Sequence, residues 1–259
     1  MDKETIKEWA GEIIASGKYY SDSDKDYTDK DGQTRCFECF VNDGIVCEEK
    51  WEAEGNPHIL VILREAREQF DPKCKRDDII GYNIYDLTQY LTKSNDKYTF
   101  EWNMPHSTYR PLAKWIREIF AKFEYLVPEN DNIFEHVAVI NLKKTPGGAH
   151  CDKKKLNEFC EDFKKYLCNQ ILEIKPHIVI LANEYNNFFK KIMKDYIAQN
   201  EIKHVQSKRK EPSPLGLYIC KQSYLKATPL LVFNAYHPCT NRTNAEDFQT
   251  LLDQDDLKK

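Results

Sequence analysis

The run LLVFNAYHPCTNR (residues 230–242) changes within a few positions from an apolar stretch to a polar one. Residues 230–233 form a continuous apolar run, which is typical of a strand that is covered on both faces of a parallel sheet. Asn234 and His237 follow, and His237 stands directly before Pro238. We interpret the run as a buried strand whose end presents polar side chains for binding or catalysis.

Three further runs have the same character, namely HILVIL (58–63), HVAVIN (136–141) and HIVILA (177–182). The segments between and around the runs show helical spacing of apolar residues, which predicts helices over 2–18, 109–123, 153–174, 183–199 and 244–252, the first with Asp2 as its N-cap. Strands that alternate with helices indicate a parallel sheet with helices on both faces. We predict one α/β domain over residues 57–259, with a helix and loop extension over residues 1–56 packed on it.

Composition restricts the function classes. The chain has 259 residues and a formal net charge of −4, so no global basic field favours nucleic acid, although a local basic groove can still bind DNA. No apolar stretch approaches the length of about 20 residues that a membrane span needs. The odd number of cysteines, nine, argues against a complete disulfide set. We expect a cytoplasmic monomer without membrane contact.

The candidate chemistry lies just beyond the predicted strands, because ligands of open α/β sheets bind outside the carboxyl ends of the strands. Glu65 follows the first run, Asn141 ends the second, Asn183 follows the third and His237 follows the fourth. A carboxylate, amides and an imidazole are therefore expected at one edge of the sheet.

Four motifs in this order resemble the uracil-DNA glycosylase superfamily. They are ILVILREARE (59–68), VAVINLKKTPGG (137–148), LCNQILEIKPHIVILAN (167–183) and VFNAYHPC (232–239), and the resemblance covers roughly residues 58–242. It implies a three-layer α/β/α sandwich around a short central, mostly parallel four-stranded sheet. It also implies hydrolysis of the bond between a base and deoxyribose in DNA, with no cofactor needed for the chemistry.

The resemblance assigns roles residue by residue. Glu65 corresponds to the carboxylate that activates water or stabilises the sugar cation, Asn141 to the amide that reads the flipped base, and His237 to the donor that stabilises the departing base. The chemistry agrees, because glycosidic cleavage develops positive charge on the sugar and negative charge on the base. An Asn amide offers one acceptor and two donor hydrogens, and the base must leave the stack to be reached.

The chain also departs from the family pattern. The first motif lacks the glycine turn and the proline of the family, which leaves Glu68 as a rival to Glu65. Phe70 and Tyr82 are candidates for the aromatic side chain that stacks on the base. Asn241 and Arg242 stand where many relatives carry a leucine wedge, so we predict that both contact DNA.

We predict further contacts with DNA from the loop after the second run, through Lys143, Lys144 and the backbone of Gly147 and Gly148. Cys36 and Cys39 form half of a metal-ligand pattern, which leaves an iron–sulfur cluster or zinc site open beside unremarkable thiols. A metal-dependent hydrolase built on Cys and His is a further alternative.

The combined prediction is a monofunctional DNA glycosylase that releases uracil or a hypermodified cytosine. Some relatives act in antiviral defence on phage DNA with such bases, so repair and defence are both open. The alternative is a non-catalytic nucleic-acid or nucleotide-binding protein on the same fold, in which Glu65 pairs with a neighbouring arginine and His237 is a packed structural side chain.

Overall fold

Helices and short strands alternate along the chain in the computed structural model, which describes residues 1–18, 27–28, 34–35, 39–67, 75–76, 83–93, 108–128, 131–147, 152–182, 188–191, 198–206, 216–222, 229–235, 238 and 250–253. The helices are α1 (Lys3–Ser16), α2 (Glu48–Trp51), α3 (Leu87–Lys93), α4 (Tyr109–Lys122), the 3₁₀ helix η1 (Ile133–His136), α5 (Lys153–Asp162) and α6 (Lys164–Ile174). The strands are β1 (Tyr27–Thr28), β2 (Thr34–Arg35), β3 (Cys39–Asn42), β4 (Gly44–Ile45), β5 (Ile59–Arg67), β6 (Lys75–Arg76), β7 (Asn83–Asp86), β8 (Ala138–Gly147), β9 (Ile178–Ala182), β10 (Ala198–Gln206), β11 (Gly216–Gln222) and β12 (Leu230–Ala235).

Four parallel strands form the centre of the main sheet, and each contains one of the four apolar runs. The order in the seven-stranded sheet is β10-β11-β12-β9-β5-β8-β4, and the pairs β12–β9, β9–β5 and β5–β8 are parallel. The other pairs are antiparallel. The prediction of an α/β fold with a mostly parallel sheet is confirmed at this level.

The three outer strands of this sheet were not predicted. β4 has only two residues, and β10 has the sequence AQNEIKHVQ, which contains no continuous apolar run. β11 has the sequence GLYICKQ, and its residues 216–220 are buried although sequence reasoning did not identify it as a strand.

Helices cover both faces of the sheet. Successive residues of each strand point to opposite faces, so each strand contributes side chains to both cores. On β5, Leu60 and Ile62 belong to a core shared with α1, α5 and α6, whereas Ile59 and Val61 belong to a core shared with α4. The central strands are therefore apolar on both sides, and polar side chains in them need a specific partner. No described helix is long and apolar enough to cross a bilayer.

Two predicted helices differ from the structure. The helix expected over 153–174 is divided at Phe163, whose backbone leaves the helical region (φ −111°) while its ring packs on Phe159 at 4.7 Å. The break lets both rings enter the same core. The helix expected over 183–199 is wrong at its end, because Ala198 begins β10; of its earlier part the structure describes only residues 188–191, which include a short helical turn.

The N-terminal segment is part of the core. As predicted, Asp2 caps α1, and its side chain accepts from the backbone N–H of Thr5 at 2.8 Å, which satisfies one of the unpaired N–H groups of the first turn. Trp9 of this helix is fully buried and stacks on Tyr166 of α6 at 5.3 Å. Since β4 also pairs with β8, residues 1–56 contribute a helix and a strand to the same layers; the boundary at residue 56 stays a prediction.

Candidate functional site

The carboxyl ends of β5 and β8 lie side by side at one edge of the main sheet. In the parallel register Leu63 pairs with Asn141 and Glu65 pairs with Lys143. β8 continues as a strand to Gly147, and the residues just after Asn141 are nearly as buried as the strand before them. The end of β8 is therefore a buried segment rather than an open loop.

Asp43 is the centre of the polar contacts at this end of the sheet. It lies between β3 and β4, with its side chain inaccessible to solvent. One carboxylate oxygen, Oδ1, binds the ammonium of Lys144 and accepts from Gln170 Nε2 at 3.0 Å. The other, Oδ2, accepts from the backbone N–H of Asn141 at 2.7 Å and lies 3.4 Å from Asn141 Nδ2. We call these four residues, Asp43, Asn141, Lys144 and Gln170, the Asp43 cluster.

Local structure explains why these side chains meet. β4 pairs antiparallel with β8 through Gly44 and Val139, so the residue before Gly44 reaches the edge of β8 near Asn141. Gly44 has a φ of 146°, a value that L side chains rarely adopt, and this turn brings Asp43 inward. Gln170 lies on the buried side of α6, where its amide also donates to the backbone carbonyl of Asp43 at 2.9 Å.

Lys144 is a fully buried cation with a fully buried counter-ion. Burial lowers the pKa of its ammonium, and the charge and hydrogen bond of Asp43 oppose that shift. The ammonium also lies 5.3 Å from the ring centre of Trp9, which adds a cation–π contact. Removing either member of such a pair leaves the other charged and unsolvated, so the two residues depend on each other.

Two oxygens of the cluster are buried without a hydrogen-bond partner in the described structure: Asn141 Oδ1 and Gln170 Oε1. Asn141 is 1% exposed, so bulk water does not reach the atom. Buried carbonyl oxygens of side chains are nearly always paired, with protein, ordered water or a ligand. These two oxygens are therefore the places where the cluster can accept a further hydrogen bond.

A cavity of about 800 Å³ lies next to the cluster. Asp43 and Gln170 line it on one side, and Ile6 of α1 lines it on another. It continues along the sheet to His58 and His177, which precede β5 and β9. The cavity therefore runs beside the sheet from its amino end toward the Asp43 cluster.

The structure places two predicted DNA contacts in the interior. Lys144 is 0% exposed and bound to Asp43, and Lys143 is buried at 6%. A phosphate contact requires an accessible ammonium, so this role does not fit the described arrangement of either residue. The sequence predicts exposure because a Lys-Lys pair that follows a strand is usually solvated. In the structure β8 continues past both lysines, which therefore lie inside the strand.

The remaining predicted site residues are only partly described. The backbone of Glu65 lies in β5, that of Gly147 in β8 and that of Cys39 in β3, and nothing is described of the side chains of Glu65 and Cys39. Seven others lie outside the described residues: Cys36, Phe70, Tyr82, Gly148, His237, Asn241 and Arg242. Asn183 and Glu68 lie outside as well, so the meeting of Glu65, Asn141 and His237 stays a prediction.

Sequence reasoning missed Asp43 and Gln170. The dipeptide Asp43-Gly44 reads as an ordinary turn, which hides a buried carboxylate. Gln170 carried a usable signal, because it falls on the buried stripe of Phe163, Leu167 and Ile174, whose spacing is that of one helical face. A polar residue on a buried helical stripe needs a buried partner.

No group of three or more metal-ligating side chains is present within the described ranges. Cys47, Cys160, Cys168 and Cys220 are thiols rather than halves of disulfides. A metal or cluster at Cys36 and Cys39 stays a prediction, since Cys36 lies outside the described residues.

No protein-family model matches the sequence. A search of the curated proteins finds no significant match either. The likeness to glycosylases therefore depends on the four motifs and on where the strands that carry them lie.

Proposed function

We propose that the protein is a monofunctional DNA glycosylase that hydrolyses the glycosidic bond of a flipped-out deaminated or modified pyrimidine. Uracil and hypermodified cytosine are the proposed bases, and an abasic site is the product. One observation carries the proposal. The two motifs that bear Glu65 and Asn141 lie on adjacent parallel strands, in register at their carboxyl ends.

The register supports a shared pocket. Asn141 pairs with Leu63, and Glu65 is two residues further along β5, so the backbones are within one or two strand rungs of each other. The fourth motif lies on β12, where Ala235 pairs with Ala182 of β9. Its strand ends at the same edge, two residues before His237. A base held beyond this edge is within reach of all three motifs.

In this proposal each residue has one task. Glu65 activates water and stabilises positive charge on the sugar. Asn141 accepts from the base edge through Oδ1, the buried oxygen without a described partner. His237 donates to a base oxygen as negative charge leaves with the base, and loss of such a donor typically raises the barrier by about 3 kcal/mol.

The test uses oligonucleotides that carry uracil, hypoxanthine, hydroxymethylcytosine or glucosylated hydroxymethylcytosine at one position. Abasic sites are scored by alkaline cleavage after incubation with the purified protein. We expect base release from at least one substrate, and loss of release in Glu65→Gln and His237→Ala with DNA binding retained. Glu158→Gln is the matched control, because Glu158 is exposed on α5 and belongs to none of the four motifs. Full activity in both site variants would contradict the assigned roles.

One observation favours the alternative of a non-catalytic nucleic-acid or nucleotide-binding protein. β5 continues through Glu65 to Arg67, which pairs with Gly147, where the family motif has a tight glycine loop. A carboxylate within a strand is held differently from one in a loop. The same assay separates the two functions, since the alternative predicts salt-sensitive DNA binding and no abasic sites with any substrate.

A further inference from the structure

The side-chain amide of Asn141 has a defined direction because Asp43 contacts only one end of it. Asn141 Nδ2 faces Asp43 Oδ2 at 3.4 Å, and the same oxygen is held in place by the backbone N–H of Asn141 at 2.7 Å. Lys144 and Gln170 hold the other carboxylate oxygen. The carboxylate is thus fixed from both sides, and the amide nitrogen points toward it.

The opposite amide direction is unfavourable. Turning the amide end for end would place Asn141 Oδ1 against Asp43 Oδ2, so two acceptors would meet without a hydrogen between them. The pair is buried, where repulsion between an anion and a carbonyl dipole is stronger than in water.

The fixed direction leaves Asn141 Oδ1 as the open end of the amide. The atom is buried and has no described hydrogen-bond partner. A donor N–H from a ligand is the group that satisfies it. The second hydrogen of Nδ2 is available to donate next to it, so the amide presents an acceptor and a donor in a fixed order.

Pyrimidine edges differ in this same order. A uracil-type edge offers a donor at N3 and an acceptor at O4, whereas a cytosine-type edge offers an acceptor at N3 and a donor at N4. For one pose of the base, one amide direction matches one edge type and opposes the other. An amide that is free to rotate would match both types.

We infer that Asp43 is a positioning residue that fixes the direction of the Asn141 amide and thereby restricts the protein to one of the two pyrimidine edge types. The inference rests on the proposed function, because Asn141 must face a flipped base. Asp43 itself touches the amide and not the base. Its role should therefore change the ratio of base-release rates between two substrates and not only the rate for one substrate.

The experiment uses two matched pairs of bases in one oligonucleotide sequence: uracil with cytosine, and 5-hydroxymethyluracil with 5-hydroxymethylcytosine. Members of a pair have the same substituent at position 5 and differ in their hydrogen-bonding edge. Single-turnover base release is measured for each. We expect wild type to prefer one edge type by a large factor, on the order of 10⁴-fold where a site is built for one hydrogen-bonding pattern.

Asp43→Asn should reduce this preference at least about tenfold, because the substituted amide can donate to or accept from either direction of Asn141. Asp43→Asn/Lys144→Met removes both buried charges together and keeps the test valid if the single variant does not fold. Asn56→Ala is the control. It removes hydrogen bonds to the backbone carbonyls of Lys50 and His136 and none of those in the Asp43 cluster, so stability should fall while the preference stays.

The outcomes separate the inference from the proposed function. If wild type prefers one edge type and the Asp43 variants keep that preference, the inference is overturned and the proposed glycosylase function is unaffected. If Asn56→Ala loses the preference equally, general loss of stability explains the effect and the inference is also overturned. If wild type releases no base from either pair or from the substrates above, the proposed function fails and the inference falls with it.

Discussion

Two polar clusters lie along β8. The Asp43 cluster is buried and contacts Asn141 and Lys144 within the strand. A second cluster, formed by Lys50, Tyr125, Asp131 and His136, precedes the strand and is partly exposed; we call it the His136 cluster. His136 Nδ1 lies 2.8 Å from the hydroxyl of Tyr125, and its Nε2 lies 3.2 Å from Asp131 Oδ2. Lys50 Nζ donates to the same carboxylate at 2.6 Å.

The clusters differ in how completely their atoms are paired. Both ring nitrogens of His136 have partners, and no side chain of the His136 cluster has a buried polar atom without one in the described structure. The Asp43 cluster leaves two oxygens open. A satisfied network of this kind stabilises one arrangement of the chain, whereas open acceptors leave room for a ligand. The comparison therefore indicates a structural role for the His136 cluster and supports the proposed binding role of the Asp43 cluster.

The largest expected effect is on stability, from Asp43→Ala. This change leaves the Lys144 ammonium buried without its counter-ion and the Asn141 N–H without its acceptor. Breaking a buried ion pair from one side typically lowers the free energy of unfolding by about 3–5 kcal/mol. Urea unfolding followed by circular dichroism measures the loss.

Lys154→Ala provides the control for that experiment. Lys154 is 87% exposed and pairs with Glu158 on α5 at 3.9 Å. Its removal should therefore change the free energy of unfolding by less than about 1 kcal/mol. Equal effects of the two substitutions would show that the Asp43 pair contributes no more than a surface pair.

A fall in pH is expected to have an intermediate effect on stability, through buried histidines that include His136. Burial lowers the pKa of His58, His136 and His177 below the ordinary 6.5. The unfolded chain then takes up protons at a higher pH than the folded one, so stability is full above about pH 6.5 and decreases as the pH falls through the lowered values. Unfolding curves at several pH values between about 7.5 and 5.5 measure the slope.

His136→Asn isolates one part of this dependence. It removes one of the three titrating imidazoles, so the loss of stability on acidification should be smaller than in wild type. Burial raises the pKa of the nearby Glu135 carboxyl, which acts in the opposite direction and is present in both proteins. An unchanged slope would mean that His136 does not contribute.

The smallest effect is a change in one pKa. Burial lowers the pKa of His136, its hydrogen bond to Asp131 raises that pKa, and the positive charge of Lys50 lowers it. Lys50→Met should therefore raise the pKa of His136, which an NMR titration of the imidazole measures. Lys154→Met, remote on α5, should leave it unchanged, and a lower His136 pKa in Lys50→Met would contradict the described charge arrangement.

Sequence reasoning succeeded where burial is uniform. The four apolar runs identified the four central parallel strands, and Asp2 was correctly predicted as the cap of α1. It failed at Lys143 and Lys144, which local composition marks as surface residues. It also missed β4, β10 and β11; β4 has only two residues and β10 contains no continuous apolar run.

The amino-acid sequence by itself determined the layers of this protein, since continuous apolar runs can be satisfied only between two layers of helices. It also placed Glu65 and Asn141 at the ends of apolar runs, whereas in the structure the strands continue beyond both residues. The tertiary structure alone decided that Asp43, 98 residues before Asn141, lies against its amide. Hydrophobic burial repeats with a local period that can be read along the chain, whereas the partner of a buried charge depends on which distant segments meet.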